Sequence, residues 1–178
     1  MIDRISIVDV ARRQHGLVTR RQALDAGYST NQIKERIRRG TWRVTERGIY
    51  RLASHPDLWL TAVLAAPLRT RGVASHRTAG VLWKLDGLRP LRPEITIAVG
   101  SGRTPKIATV HRTKQWDRIK ATTLSGIPVS GIVRTLLDMA WALSRTQLVI
   151  AIDSARLRNL VDWPDLSTVY RRHSRQGW

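Results

Sequence analysis

The segment from His15 to Leu52 constrains the fold more than any other part of the chain. Its sequence is HGLVTRRQALDAGYSTNQIKERIRRGTWRVTERGIYRL. It contains two short helical patterns, and each starts with a hydroxyl residue that has Gln three positions later, the pattern of a capping box. Each pattern is closed by glycine, which adopts the left-handed conformation of a helix end at little cost. The first pattern starts at Thr19, has Gln22 three positions later and is closed by Gly27. The second starts at Ser29, with Gln32 three positions later, or alternatively at Thr30, and is closed by Gly40.

The second of these helices has two different faces. Ile33 and Ile37 lie four residues apart and share one face, so they can pack against the preceding helices. The opposite face carries Thr30, Asn31, Lys34 and Arg38, and the outward stretch extends to Arg39. A short helix with apolar anchors behind and Asn, Lys and Arg in front suits recognition in the major groove. The hairpin pattern that follows, Trp42 to Leu52, makes Arg43, Arg47 and Arg51 available for phosphates. The segment therefore predicts a winged helix-turn-helix that binds DNA; the alternative is a small structural pair of helices with a solvated basic face.

The charge balance favours an anionic partner. The chain has 178 residues with a formal net charge of +18. The first 52 residues contain 12 basic and 5 acidic residues, and the remainder contains 19 and 8, so both parts could contact double-stranded DNA. A membrane surface is disfavoured because no basic amphipathic helix with a wide apolar face is visible.

Composition also limits the compartment. The absence of cysteine excludes disulfides and zinc-thiolate sites and is compatible with a cytoplasmic location. The N-terminus carries Asp3, Arg4 and Asp9 within its apolar part, unlike a signal peptide. The uncharged, largely apolar stretch from Leu58 to Leu68 is too short to cross a bilayer. We therefore expect a cytoplasmic protein that is a monomer or a weak dimer.

The pattern of elements predicts an α+β protein with two domains. Residues 1–52 form the winged helix-turn-helix, and residues 57–178 form a second mixed domain with a small antiparallel sheet and helices. Helices are predicted at 3–14, at 57–66 with an end near Pro67, at 76–84 with Ser75 as cap, at 131–143, at 144–158 with Ser144 as cap, and in a short segment opened by Trp163. The β-branched runs 94–99 and 107–112 are predicted to form a hairpin, with 119–124 as a third strand.

No constellation for catalysis is predicted. The five histidines are scattered and lack metal-ligand spacing, so no metal and no cofactor are expected. Asp86 and Glu94 superficially suggest a nuclease pair, but the lysine that would complete it is missing, and Glu94 is interpreted as a strand-opening residue. The Gly100–Arg103 turn lacks the terminal Gly-Lys of a nucleotide-binding loop. We expect a protein that is not an enzyme.

The residues quoted above resemble a known family. The segment from His15 to Leu52 is similar to the N-terminal winged helix of the AbiEi family of bacterial antitoxins, especially its actinobacterial members. SHRTAGVLWKLDGL (75–88) and SGIPVSGIVRTLLDMA (125–140) resemble the middle region of the same group. That region is shared with proteins that end in a Vsr-like endonuclease domain. This chain stops at Trp178, where that domain would begin, which argues against nuclease activity unless the chain is a fragment.

The resemblance implies the antitoxin of a type IV toxin–antitoxin (abortive-infection) system. Such an antitoxin represses its own operon and opposes a nucleotidyltransferase toxin. Transferred by resemblance, the DNA-binding positions are Arg20 and Arg21 at the start of the first helix, Thr30, Asn31, Lys34, Glu35 and Arg38 on the recognition helix, and Arg43 and Arg47 on the wing.

Two other functions remain open. The first is a protein-interaction module that neutralises the toxin with incidental DNA binding, for which Trp141 and Trp163 could provide apolar surface, although both are interpreted as core. The second is the regulatory part of a Vsr-like endonuclease that lacks its catalytic domain.

Overall fold

The N-terminal helices begin at the capping residues that the sequence predicts. A computed structural model describes residues 6–102, 104–162 and 164–167. Its first elements are α1 (Ile7–Arg13), β1 (Leu17–Thr19), α2 (Arg20–Asp25), α3 (Thr30–Arg38), β2 (Trp42–Glu46) and β3 (Ile49–Leu52). The Thr19 hydroxyl accepts from the Gln22 backbone N–H at 3.1 Å, while the Gln22 side chain accepts from the Thr19 N–H at 2.8 Å. Ser29 and Gln32 form the same reciprocal pair before α3, so Ser29 rather than Thr30 is its N-cap.

Three short antiparallel strands close this N-terminal unit. The order in the sheet is β1-β3-β2, so the last strand in sequence is the central one. A bulge between Val44 and Glu46 interrupts the pairing of β2 with β3. Because β3 is flanked on both edges, all four of its residues are buried.

A second, mixed sheet follows and corrects one prediction. Its strands are β4 (Val73–Ala74), β5 (Glu94–Ala98), β6 (Thr109–Thr113), β7 (Thr122–Leu124) and β8 (Ile127–Val129), in the order β6-β5-β4-β8-β7. The predicted hairpin of residues 94–99 with 107–112 is wrong, because β5 and β6 pair in parallel, and β4 with β8 also pair in parallel. Only part of the sheet is therefore antiparallel. The predicted strand 119–124 divides into a 3-10 helix (Trp116–Ile119) and β7.

The helices around this sheet are α4 (Trp59–Thr70), α5 (His76–Leu82), α6 (Ile132–Ala140) and α7 (Arg145–Leu157). Helix α4 does not end near Pro67 as predicted but continues through it. The ring removes one helical hydrogen bond, and burial of the neighbouring Ala66 and Thr70 offsets that loss. The α+β class predicted from the sequence is confirmed.

The two predicted caps of the later helices have different outcomes. Ser144 caps α7 with a full capping box, as predicted. The Ser75 side chain makes no cap bond to α5; its Oγ instead accepts from Thr96 Oγ1 at 2.8 Å. Residues 164–167 are helical, whereas Trp163, which was predicted to open this segment, lies outside the described residues.

One core cluster contains residues from both predicted domains. Leu17 and Ile49 of the first sheet pack with Val63 and Leu64 of α4 and with Val129 of β8. The Thr61 hydroxyl donates to the His15 carbonyl at 3.0 Å across the same junction. The predicted division into 1–52 and 57–178 stays a prediction. In the part of the chain that the structure describes, no helix is long and apolar enough to cross a membrane.

Candidate nucleic-acid interface

Helix α3 is held to the N-terminal unit by its apolar face. Ile33 is buried, Ile37 is partly buried, and both belong to a cluster with Val18, Trp42 and Tyr50. Because a helix presents residues about 100° apart, this anchoring turns the opposite face outward. The exposed residues of α3 and its end include Thr30, Asn31, Lys34, Arg38 and Arg39. The structure thus places these predicted DNA-binding residues on one open surface.

The arginines at the start of α2 lie next to this surface. The Arg20 guanidinium donates to Thr30 Oγ1 at 2.8 Å, which ties the start of α2 to the start of α3. The Arg20 backbone N–H donates to the Gly48 carbonyl at 2.8 Å and so joins α2 to the turn of the β2–β3 hairpin. Arg21 is exposed and pairs with Asp25 at 3.4 Å. Arg20 therefore positions other parts of the surface, while Arg21 faces solvent.

Glu35 lies among arginines on the exposed side of α3. Its carboxylate accepts from Arg38 Nε at 2.7 Å and from Arg39 Nε at 2.6 Å. The hydrogen bond from Arg38, followed by that from Arg39, lowers the pKa of Glu35 to about 2. Glu35 is therefore ionised at neutral pH, and it partly compensates the charge of both arginines.

A shallow groove of about 460 Å³ runs along α3 toward the β2 strand. It is lined by Asn31, Gln32, Glu35, Arg36, Arg39 and Thr41. The Arg36 guanidinium lies 5.0 Å from the ring centre of Tyr28 and 5.9 Å from that of Trp42, which are cation–π distances. Gln32 and Arg36 were not predicted as site residues. The sequence does contain Tyr28 before α3 and Trp42 after it, which could have pointed to a cation–π contact with Arg36. That both rings lie close to Arg36 is seen only in the folded structure.

The β2–β3 hairpin presents two of its three predicted arginines. Arg43 and Arg47 are exposed. The prediction that Arg51 is available for phosphates is wrong, because Arg51 is buried on the central strand and donates to the His55 carbonyl and to Asp57. Within the described part of the chain, Lys34, Arg43 and Arg47 make no ion pair. No carboxylate compensates their charge there, and the same holds for Arg20, which donates to Thr30, and for Arg36, which lies over Tyr28 and Trp42.

One of the two tryptophans considered for protein contacts differs from expectation. Trp141 is 71% exposed, so its interpretation as a core residue is wrong. It follows α6 directly, where the chain turns toward α7. Trp163 lies outside the described residues.

The sequence analysis did not predict a second cluster of polar, titratable side chains. His76, Glu94 and His111 lie together, although they are widely spaced in sequence. Glu94 opens β5 as predicted, and its carboxylate also contacts His111 Nε2 at 2.8 Å. No local motif signals this cluster, because it forms only when β6 pairs in parallel beside β5 and α5 begins next to both.

Burial governs the charges of this cluster. Burial lowers the pKa of His76 to about 4, and His111 adds to the effect, so the His76 imidazole is neutral at neutral pH. Burial acts to raise the pKa of Glu94, but the His111 hydrogen bond and the nearby imidazoles outweigh it, and the net shift is downward. Burial raises the pKa of Asp138 although Arg134 is beside it.

The capped helices α2 and α3, joined by a four-residue turn and followed by the hairpin, define a helix-turn-helix unit. Residues 6–53 match the family described as "Transcriptional regulator, AbiEi antitoxin". The resemblance predicted for this segment is therefore confirmed, and the match supports a regulator or antitoxin. The likeness of residues 75–88 and 125–140 to the middle region of that group stays a prediction.

The whole fold is similar to a solved structure. The crystal structure of the RV2827C protein from Mycobacterium tuberculosis aligns with a TM-score of 0.57 and 17% identity, covering 89% of this chain and 67% of that one. At this identity the similarity shows the fold alone. No curated protein matches the chain.

Proposed function

We propose that the protein is a sequence-specific DNA-binding transcriptional repressor of its own operon and the antitoxin of a type IV toxin–antitoxin pair. One observation carries the proposal: α3 is anchored from behind by Ile33, and its polar face lies open beside exposed Arg43 and Arg47. The family match of residues 6–53 supports the same class of function. The role proposed for this surface is binding rather than catalysis.

In the proposed complex, α3 enters the major groove and the β2–β3 hairpin acts as the wing. Asn31, Lys34 and Arg38 contact base edges, while Arg43 and Arg47 contact phosphates. Arg38 must leave Glu35 to make a bidentate contact with a guanine, because in the free protein its Nε and Nη2 both donate to the Glu35 carboxylate. Occupation of a promoter by this surface would block transcription.

The experiment compares two variants on two duplexes. Fluorescence anisotropy measures the affinity for the upstream region of the protein's own gene and for a scrambled duplex. Arg38→Ala should lose about 1–3 kcal/mol on the specific duplex and little on the scrambled one. Arg47→Ala should weaken binding to both alike, because a phosphate contact carries no sequence information. Arg89→Ala, an exposed arginine in another part of the chain, is the matched control.

Equal losses from Arg38→Ala and Arg47→Ala on both duplexes would contradict the assigned roles. Absence of any mobility change of the upstream duplex at low ionic strength would contradict the function itself.

The exposure of Trp141 favours a second candidate function, contact with a protein partner such as a nucleotidyltransferase toxin. An aromatic side chain that is 71% exposed is a common anchor of interfaces. Co-expression with the neighbouring gene product tests it: Trp141→Ala should release a co-purifying partner, while Arg47→Ala should retain it. Retention by both variants would refute a role of Trp141.

A further inference from the structure

Three elements bring two imidazoles and one carboxylate to one place. His76 begins α5, Glu94 begins β5, and His111 lies on β6 opposite Thr96. Glu94 and Thr96 are two residues apart on one strand, so their side chains share the face of the sheet that His111 also joins. One nitrogen of each histidine and one oxygen of Glu94 all lie within 4.8 Å of one another. The two imidazole rings are stacked, with centres 3.6 Å apart.

A buried carboxylate stands behind His76. Asp138 Oδ1 accepts from Arg134 Nε at 2.7 Å, while Asp138 Oδ2 lies 4.0 Å from His76 Nδ1. Among the described residues, this Oδ2 is buried and has no hydrogen-bond partner. A buried oxygen without a partner is costly, so an interaction that draws the His76 Nδ1–H toward it would stabilise the protein.

The remaining contacts of His76 decide which of its nitrogens is available. Nδ1 lies 3.0 Å from Ser75 Oγ and faces Asp138. Nε2 is therefore the nitrogen that remains for a ligand. This arrangement, in which a carboxylate binds one imidazole nitrogen and a metal ion binds the other, is common around protein metal ions.

We propose that His76, Glu94 and His111 bind one divalent metal ion such as Zn²⁺, and that Asp138 orients His76. Two imidazoles and one carboxylate suit Zn²⁺, Co²⁺ or Ni²⁺, whereas Mg²⁺ and Ca²⁺ prefer oxygen ligands. The ion would replace the proton that His111 Nε2 and Glu94 Oε2 share at 2.8 Å. Three protein ligands leave the fourth tetrahedral position for water.

Metal binding requires the ligand atoms to approach only slightly, but the imidazole rings must also turn. Ligand distances of about 2.0–2.1 Å place neighbouring tetrahedral ligand atoms about 3.3 Å apart. The atoms that are now up to 4.8 Å apart must therefore approach by about 1.5 Å at most. The His111 side chain is 34% exposed, so its ring can rotate, and the ion has access from that side. The rings must unstack in part, because their nitrogens have to converge on one point.

Bound metal would connect elements that are distant in sequence. It would bind α5 to β5 and β6 directly and to α6 through Asp138. We therefore expect the ion to raise the thermal stability of this part of the fold without changing the DNA-binding surface.

The test uses the full chain after treatment with a chelator. Titration with Co²⁺ should give the visible ligand-field absorption of a tetrahedral site, and this absorption should reach its maximum at one ion per chain. Added Zn²⁺ should displace the Co²⁺ and abolish the absorption. Glu94→Gln and His111→Ala should each weaken Zn²⁺ binding by more than the ~10–100-fold typical of losing an outer-shell partner, and Asp138→Asn should fall within that range. His55→Ala is the matched control, because His55 lies outside the cluster and should leave the affinity unchanged.

A folding defect must be distinguished from a lost ligand. Glu94→Gln keeps the size of the side chain and can still accept a hydrogen bond from His111, so its circular dichroism should match that of the unaltered protein. Zn²⁺ should raise the melting temperature of the unaltered protein and of His55→Ala, but not that of Glu94→Gln, and Mg²⁺ should raise none. The proposal is overturned if the unaltered protein binds no Zn²⁺, or if Glu94→Gln and His111→Ala bind it as tightly as His55→Ala.

Discussion

The salt dependence of DNA binding gives a quantitative test of the proposed interface. Lys34, Arg43 and Arg47 are exposed, and within the described residues they pair with no carboxylate. Each phosphate that a cation neutralises contributes about −0.9 to the slope of log K against log salt concentration. The proposed function places Arg43 and Arg47 at phosphates, so these two supply about −1.8 of the slope, and a fourfold rise in salt weakens their contribution by about 12-fold. Lys34, which it places at base edges, is not expected to contribute to the slope.

The perturbation is the replacement of each cation by Gln, one at a time. Arg43→Gln and Arg47→Gln should each flatten the slope by about 0.9, so over a fourfold change of salt each loses about 3.5-fold less affinity than the unaltered protein, whereas Lys34→Gln should keep the slope. Anisotropy with a labelled scrambled duplex, measured at several NaCl concentrations, determines the slope. A scrambled duplex is used because phosphate contacts do not depend on sequence.

Arg89→Gln carries the same charge change outside the surface and should keep the full slope. If Lys34→Gln, Arg43→Gln and Arg47→Gln all give the slope of Arg89→Gln, the duplex does not lie on this surface. A flattened slope for Lys34→Gln as well would place Lys34 at a phosphate and contradict its proposed contact with base edges.

Three further predictions concern stability and pH. Ser29→Ala should lower the free energy of unfolding by about 1 kcal/mol in a urea titration, because it removes the N-cap of α3. Met139→Ala should cost about 2–5 kcal/mol, because the side chain is fully buried, whereas exposed Trp141→Ala should stay within about 0.5 kcal/mol; equal losses would contradict the packing of α6. Glu35→Gln should raise the affinity for scrambled DNA by the same factor at about pH 5 and about pH 8, since the Glu35 pKa of about 2 lies below both. The contribution of the Glu35 ion pairs to stability is present above the ordinary pKa of 4.5 and is lost only as the pH falls toward 2. The ion pairs are therefore intact at both assay conditions, and an affinity ratio that changes between about pH 5 and about pH 8 would contradict the pairing of Glu35 with Arg38.

Local signals predicted the N-terminal unit well. The capping boxes at Thr19 and Ser29 involve residues only three positions apart, so the sequence contains both partners. The outward face of α3 follows from the helical period of Ile33 and Ile37. These features need no knowledge of the rest of the fold.

Features that depend on distant pairing were not predictable in the same way. Arg51 looks like its neighbour Arg47 in sequence, but β1 pairs along the free edge of β3 and buries it. The runs that form β5 and β6 are separated by a short turn-rich segment typical of a hairpin, yet they pair in parallel. The approach of His76 to Glu94 and His111 follows from that pairing and from the position of α5, and neither is encoded by residue spacing.

The helix-turn-helix unit shares part of its core with the second sheet, so it should not be separable from it without loss of stability. The Glu46 carboxylate on β2 accepts from the Ile107 backbone N–H at 2.8 Å, and Leu17 and Ile49 share their core with α4. Cutting the chain after Leu52 would expose these two side chains to water and remove the hydrogen bond that Ile107 donates to Glu46. A fragment that ends at Leu52 should therefore be less stable than the whole protein and a poor substitute for it in DNA-binding assays.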